Sequence, residues 1–295
     1  MDTDGLIVVD KPAGMTSHDV VARVRRLAKT RRVGHGGTLD PMATGVLIIG
    51  VNRATRLLTY VIGSGKSYTA TIRLGEATVT DDAEGDVIAR AGTAGVTDEA
   101  VRAGLAAQVG EIDQVPSAVS AIKINGQRAY KRVRDGEDVE IPARRVTVSR
   151  LEVLDIRRPG DPDVVDVDVD VTCSSGTYIR AIARDLGSVL GVGGHLTALR
   201  RTAVGDLTLA EAATLPELEE RAPDVIGLPM ADAARRAFQQ RTATVEEARV
   251  LSHGGSLEPV GIDGPYAVFN EAGEVLAIVN ESSGRAKPEI VLAAA

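Results

Sequence analysis

The chain has 295 residues, 44% of them hydrophobic, with a formal net charge of −7 and a single cysteine, Cys173. That length allows one large domain and a small one, and the composition is that of a globular core. One cysteine excludes an internal disulfide and a cysteine-built zinc cluster. No apolar run approaches the roughly 18 residues of a membrane span, and the start MDTDGLIVVDKP lacks the basic head and apolar stretch of a signal peptide, so a cytoplasmic location is expected.

In chain order, GLIVVDKP reads as a short buried strand ending at Asp10-Lys11-Pro12. Thr16-Ser17 then cap a helix whose Val20, Val21, Val24 and Leu27 recur at helical spacing, with arginines on the opposite face. The stretch GHGGTLDPMATG, Gly34 to Gly45, sets one carboxylate, Asp40, among four glycines and a proline, just ahead of the buried strand Val46 to Ile49. Glycines let backbone approach a ligand closely and proline stiffens the turn, so the stretch is suited to holding one acid still. Tyr68 to Leu74 alternates as a half-exposed strand does, and Thr97 caps a helix expected to reach Val109. In VVDVDVDV, Val164 to Val171, the valines share one face and Asp166, Asp168 and Asp170 the other. Without further oxygen ligands nearby this reads as a solvated sheet face rather than a metal site.

A helix is expected from Thr177-Tyr178-Ile179-Arg180 to Leu190, closed by Gly191. Pro216, Pro223 and Pro229 punctuate an irregular region from Leu215 to Met230. A short helix near Val245 to Leu251 follows, then strands at Tyr266 to Phe269 and Val275 to Val279 around the turn Asn270 to Gly273. Strands with few helices at irregular intervals favour an α+β class with a small β-rich appendix.

The acidic total hides basic segments. From Lys11 to Arg56 nine basic residues face two acids, Asp19 and Asp40, and a second basic run extends from Lys123 to Arg150. Two such runs flanking a glycine-rich loop point to a polyanion, most simply nucleic acid. Gly63-Ser64-Gly65-Lys66-Ser67 imitates the end of a phosphate-binding loop, but the pattern needs a glycine where Tyr60 stands and a helix where a strand follows. No nucleoside triphosphate is expected.

Together, DKPAGMTSHDVV, GHGGTLDPMATG, KSYTATIRLG, CSSGTYIRAIARDLG and GGHLTALRRTAVG, in this order from Gly5 to about Asp206, resemble the bacterial tRNA pseudouridine-55 synthases of the TruB type. The tail, with LSHGGSLEP and the strands after it, is similar to the small RNA-binding PUA domain that ends those enzymes. The resemblance implies a mainly antiparallel mixed sheet flanked by helices. It divides the chain into a catalytic domain at 1–232, with an RNA-gripping insertion at about 120–150, and a PUA-like domain at 233–295. It also implies a cofactor-free, metal-free monomer that isomerises a uridine in the T-arm of tRNA.

The resemblance further assigns roles. Asp40 is the nucleophile and Arg180 its cationic partner; Tyr68 stacks on the extruded base; Tyr178 and Leu199 line its pocket; His35 touches the RNA. Arg128, Lys131 and Arg132 would grip RNA phosphates. On the residues alone, Arg180 reads first as an ordinary ion-pair partner at the helix start, for instance of Asp185, and both tyrosines and Leu199 as core. Whether the carboxylate attacks the sugar or the ring, or first acts as a base, stays open. Two other readings also stay open: an RNA-binding or folding module that keeps the cleft without depending on catalysis, and a nucleoside hydrolase.

Overall fold

The computed structural model describes residues 4–117, 123–124, 127–128 and 141–293. Strand β1 (Gly5–Lys11) is followed by helix α1 (Ser17–Leu27), then β2 (Val33–Gly36), β3 (Thr44–Val51) and β4 (Lys66–Leu74). Thr16 caps α1, its hydroxyl accepting from the Asp19 N–H while the Asp19 carboxylate accepts from the Thr16 N–H. Val20, Val21 and Val24 are buried, as their spacing predicts. The short ladder β5 (Glu76–Thr78) and β6 (Val87–Arg90) comes next. It leads to helix Asp98–Ala106, capped by Thr97 as expected but ending short of Val109.

Strands β7 (Gly110–Gln114), β8 (Lys123–Ile124), β9 (Gln127–Arg128), β10 (Arg144–Arg157), β11 (Val165–Cys173), β12 (Gly194–Val204), β13 (Leu207–Thr208) and β14 (Leu228–Pro229) complete the larger part. Its ten-stranded sheet runs β14-β1-β3-β12-β4-β11-β10-β7, with β2 on β3 and β13 on β12. Pairing is antiparallel except between β12 and β3. In β4 and β11 alternate residues are buried, so Val165, Val167, Val169 and Val171 enter the core. The three aspartates between those valines meet cations rather than open water: Asp166 pairs with Arg73 at 2.8 Å, Asp168 with Arg157 at 2.7 Å and Asp170 with Arg150 at 3.2 Å.

One apolar core lies between the sheet, α1 and helix Ile179–Val189. A second joins Leu6, Val8, Val46 and Ile48 to helix Met230–Ala237 and to Phe269, Val275 and Ile278. The C-terminal part is a separate four-stranded sheet, Gln239–Thr242, Tyr266–Phe269, Val275–Ser282 and Arg285–Val291. The expected domain border at 232/233 falls inside helix Met230–Ala237.

The region Leu215 to Met230 is more ordered than its prolines predict, because it holds helix Leu215–Arg221. Thr214 and Glu217 form a reciprocal cap there, and Pro216 sits in the first turn, where a missing N–H costs nothing. Among the described residues no helix is long and apolar enough to cross a membrane.

Candidate active site

Gly34 to Gly45 passes from β2 through an irregular loop into β3, and three buried side chains hold that loop by its backbone. The Lys11 ammonium, fully buried at the end of β1, donates to the carbonyls of Pro12 (2.8 Å), Pro41 (3.1 Å) and Ala43 (2.7 Å). Ser17 accepts from the Leu39 N–H at 2.9 Å and donates to the Leu39 carbonyl at 3.1 Å. Arg201, 1% exposed on β12, donates to the carbonyls of Val46 (2.6 Å), Gly37 (3.0 Å) and Thr38 (3.5 Å). Gly45 permits the close passage of β3 beside β12: at φ +95 a Cβ there would lie 2.2 Å from the Arg201 carbonyl oxygen. The loop is clamped on both sides of Asp40.

Arg180 reaches Asp40 from the first turn of helix Ile179–Val189. Its Nε lies 3.1 Å from one carboxylate oxygen and its Nη2 3.4 Å from the other. Its Nη1 donates to the Thr80 carbonyl at 2.8 Å and lies 3.5 Å from the carboxylate of buried Asp82. Asp82 is itself held by the Thr80 hydroxyl at 2.5 Å and the Glu84 N–H at 3.0 Å. The ion pair with Asp185 that the sequence allowed for Arg180 is made by Arg184 instead, at 2.8 Å.

Burial pushes the Asp40 carboxyl above its ordinary 3.8; Arg180 and Lys11 pull it down, Asp82 pushes it up, and burial prevails. Arg180 divides its charge between two carboxylates and offsets only part of the burial effect.

Asp40 opens on a cavity of about 260 Å³ whose walls include Tyr68, Tyr178, Arg180 and Leu199, and also Lys66, Arg201 and Gly37. Register explains part of this convergence: Arg201 pairs with Tyr68 across β12 and β4, and with Gly45 across β12 and β3. The Tyr68 ring is buried and its hydroxyl meets the Arg201 guanidinium, while burial raises the phenol's pKa. Gln114 fixes Tyr178 at the helix start: its carbonyl oxygen accepts from the Tyr178 N–H at 2.8 Å and its amide donates to the Tyr178 carbonyl at 3.1 Å.

His35 does not line this cavity. It lies on β2, edge to face with His18 at 5.3 Å between ring centres, and its Nδ1 is buried without a hydrogen-bond partner among the described residues. Burial and its cationic neighbours hold its pKa below the usual 6.5. Arg128 lies in the two-residue ladder of β9 with β8; Lys131 and Arg132 fall outside the described residues.

A model of the TruB family pseudouridylate synthase N-terminal domain matches residues 25–179, just over half of the chain. The chain belongs to the TruB family of pseudouridylate synthases. Two further models match after it: the tRNA pseudouridylate synthase B C-terminal domain over residues 180–224, and the tRNA pseudouridine synthase II C-terminal region over 238–293.

Proteins named tRNA pseudouridine synthase B are similar over nearly the whole length. That of Arthrobacter sp. (strain FB24) is 56% identical, covering 98% of this chain and 96% of its own. That of Thermobifida fusca (strain YX) is 56% identical, covering 98% and 99%. Among solved structures, the chain resembles one in the crystal structure of the archaeal box H/ACA sRNP Nop10-Cbf5 complex at 26% identity and a TM-score of 0.71, covering 98% of this chain and 86% of that one. Membership of the TruB family at this identity makes the chain a pseudouridine synthase, an isomerase.

Sequence reasoning missed Asp82, Lys11 and Arg201 as parts of the site. Lys11 was counted among cations facing a polyanion, yet it is buried against carbonyls. Several others in that run are also engaged internally: Arg23 with Glu219, Arg25 with the Val33 carbonyl, Arg53 with Asp4 and Arg56 with the Val291 carbonyl. Arg26, Lys29, Arg31 and Arg32 are the exposed remainder along α1 and the turn after it.

Proposed function

We propose that this synthase converts the uridine at position 55 in the T-arm of tRNA to pseudouridine, with Asp40 as nucleophile acting on a base turned out of the RNA stack. The relatives' shared name supports tRNA as the substrate. The observation that carries the reading is the Asp40–Arg180 pair in a cavity that also holds two tyrosines in a chain with only five.

Hydrolysis of a glycosidic bond ordinarily takes two carboxylates with a water admitted between them. Isomerisation must exclude water, and among the described residues Asp40 is the one carboxylate on the cavity wall. Extruding a base costs a few kcal/mol, offset in part by stacking on an aromatic ring, the role proposed for Tyr68. Tyr178 and Leu199 bound the space for the base, and His35, outside the cavity, serves the RNA around it. Residues 1–232 supply the chemistry. The segment at about 120–150, with Arg128, Lys131 and Arg132, grips phosphates, and residues 233–295 add RNA contact. The enzyme is proposed to be a monomer acting in the cytoplasm.

The test is tritium release from C5-labelled uridine in an unmodified tRNA transcript. Wild type releases it; Asp40→Asn binds the transcript but loses release by at least about 10⁴-fold. Normal release by Asp40→Asn overturns the assignment, release of free uracil identifies a hydrolase, and binding without any isomerisation by wild type identifies an RNA-folding module.

A further inference from the structure

Among the described residues the cavity wall carries three cationic side chains, Arg180, Lys66 and Arg201, and one carboxylate, Asp40. Arg180 serves Asp40 and Asp82, yet Lys66 and Arg201 line the same space. Both are withdrawn from water, at 7% and 1% exposed. They converge over Gly37: a Cβ built on that glycine would lie 3.5 Å from Lys66 Cε and 3.6 Å from Arg201 Nη1. Arg201 spends its hydrogen bonds on carbonyls and the Tyr68 hydroxyl, and Lys66 donates to the Ser64 carbonyl at 3.0 Å. Burying two like charges side by side is unfavourable, and the Arg201 charge adds to burial in lowering the Lys66 ammonium below its usual pKa.

We propose that Lys66 and Arg201 form a cationic wall that stabilises the uracil base as an anion between its detachment from the sugar and its re-attachment. The inference rests on the reading that the base enters this cavity. When the C1′–N1 bond breaks, its electron pair stays with the base, which becomes a uracil anion with charge spread over N1 and the ring carbonyl oxygens. The sugar either gains a bond from C1′ to an Asp40 oxygen or gives up its C2′ proton to that carboxylate. After the base turns, C5 supplies the pair for the new bond to C1′. Asp40 leaves C1′ or returns the C2′ proton, the C5 hydrogen departs as a proton to solvent, and N1 takes up a proton from solvent. Negative charge thus passes from the carboxylate to the base and back. Fixed cations in a site poor in water stabilise such a charge without reorganising at the moment of reaction.

The experiment is single-turnover conversion of two tRNA transcripts, one carrying uridine and one 5-fluorouridine, read as loss of the starting nucleoside in nuclease digests. On the fluorinated ring C5 keeps its fluorine after re-attachment, so that product is a C5-glycoside with water added at C6 rather than pseudouridine. Fluorine makes the ring nitrogen more acidic, so the departing base needs less help. Lys66→Met is expected to slow the uridine transcript about 10²-fold and the fluorinated one about tenfold, while Lys66→Arg stays within about tenfold of wild type on both. Should Lys66→Met fail to fold, Lys66→Gln, which keeps a donor for the Ser64 carbonyl, carries the same comparison. Equal deficits on the two transcripts, or none, overturn the proposal. If wild type leaves the uridine transcript unchanged, or Asp40→Asn converts it normally, the reading of the cavity itself fails. If both controls behave as stated, only the cationic wall is at issue.

Discussion

Arg180 and Asp40, 140 residues apart in the chain, meet along the side of the guanidinium, Nε at 3.1 Å and Nη2 at 3.4 Å from the two carboxylate oxygens. The remaining nitrogen is spent on Thr80 and Asp82. A lysine offers one compact charge and cannot hold three partners in that plane. Arg180→Lys is expected to lower the single-turnover rate about 10²-fold with transcript affinity unchanged. A rate within threefold of wild type, measured by the same tritium release, contradicts the pairing's importance.

On the proposed role of Asp40 as nucleophile, the carboxylate must be ionised, so the rate is expected to fall as pH drops through its pKa, which burial moves above 3.8. The Asp82 charge contributes to the rise. Asp82→Asn removes a negative neighbour, eases ionisation of Asp40 and shifts the acid limb to lower pH. Single-turnover rates across the acid range for wild type and variant check the sign; a limb that moves upward refutes it.

Ser17 satisfies both backbone groups of Leu39, one residue before the carboxylate. Ser17→Ala leaves a buried donor and acceptor without partners and is expected to cost about 2 kcal/mol of stability. Because the loop carries Asp40, kcat is expected to fall while KM holds. Denaturant melts and steady-state kinetics together test this, and a fall in KM-linked affinity alone counts against it.

Gly45 occupies positive φ with its missing Cβ aimed at the Arg201 carbonyl. Gly45→Ala is expected to destabilise the fold by about 3 kcal/mol, from backbone strain and overpacking together. That corresponds to a melting temperature lower by about 6–12 °C. An unchanged melting curve shows that β3 and β12 can separate there.

Local signals reached the local structure. The Thr16 cap, the valine alternation of β11 and the lone acid in a glycine loop were all legible, because each depends on neighbours within a few residues. The meeting of Asp40 with Arg180 was legible only through resemblance, since the residues alone favoured a local partner such as Asp185. Lys11, Asp82 and Arg201 were not legible as site residues. Lys11 and Arg201 bind backbone carbonyls, which leave no trace in residue identity, and Asp82 meets Arg180 from 98 residues away in the chain. The charge count failed for a related reason: it treats every cation as facing water, whereas Lys11 faces the loop and Arg53 faces Asp4. Pro216 was read as a breaker when its place after Thr214 made it a helix starter.

Strand β12 enters the sheet between β3 and β4, although both precede it by more than a hundred residues. On a translating ribosome, a nascent chain halted before Gly194 therefore keeps the nine-residue strand β4 open along one edge and lacks Arg201 altogether. Such a fragment offers a template for foreign strands and is headed for aggregation or proteolysis, without a fraction of the activity. The sheet becomes continuous only when its late central strand is threaded in, so synthesis of nearly the whole catalytic region must precede the first turnover.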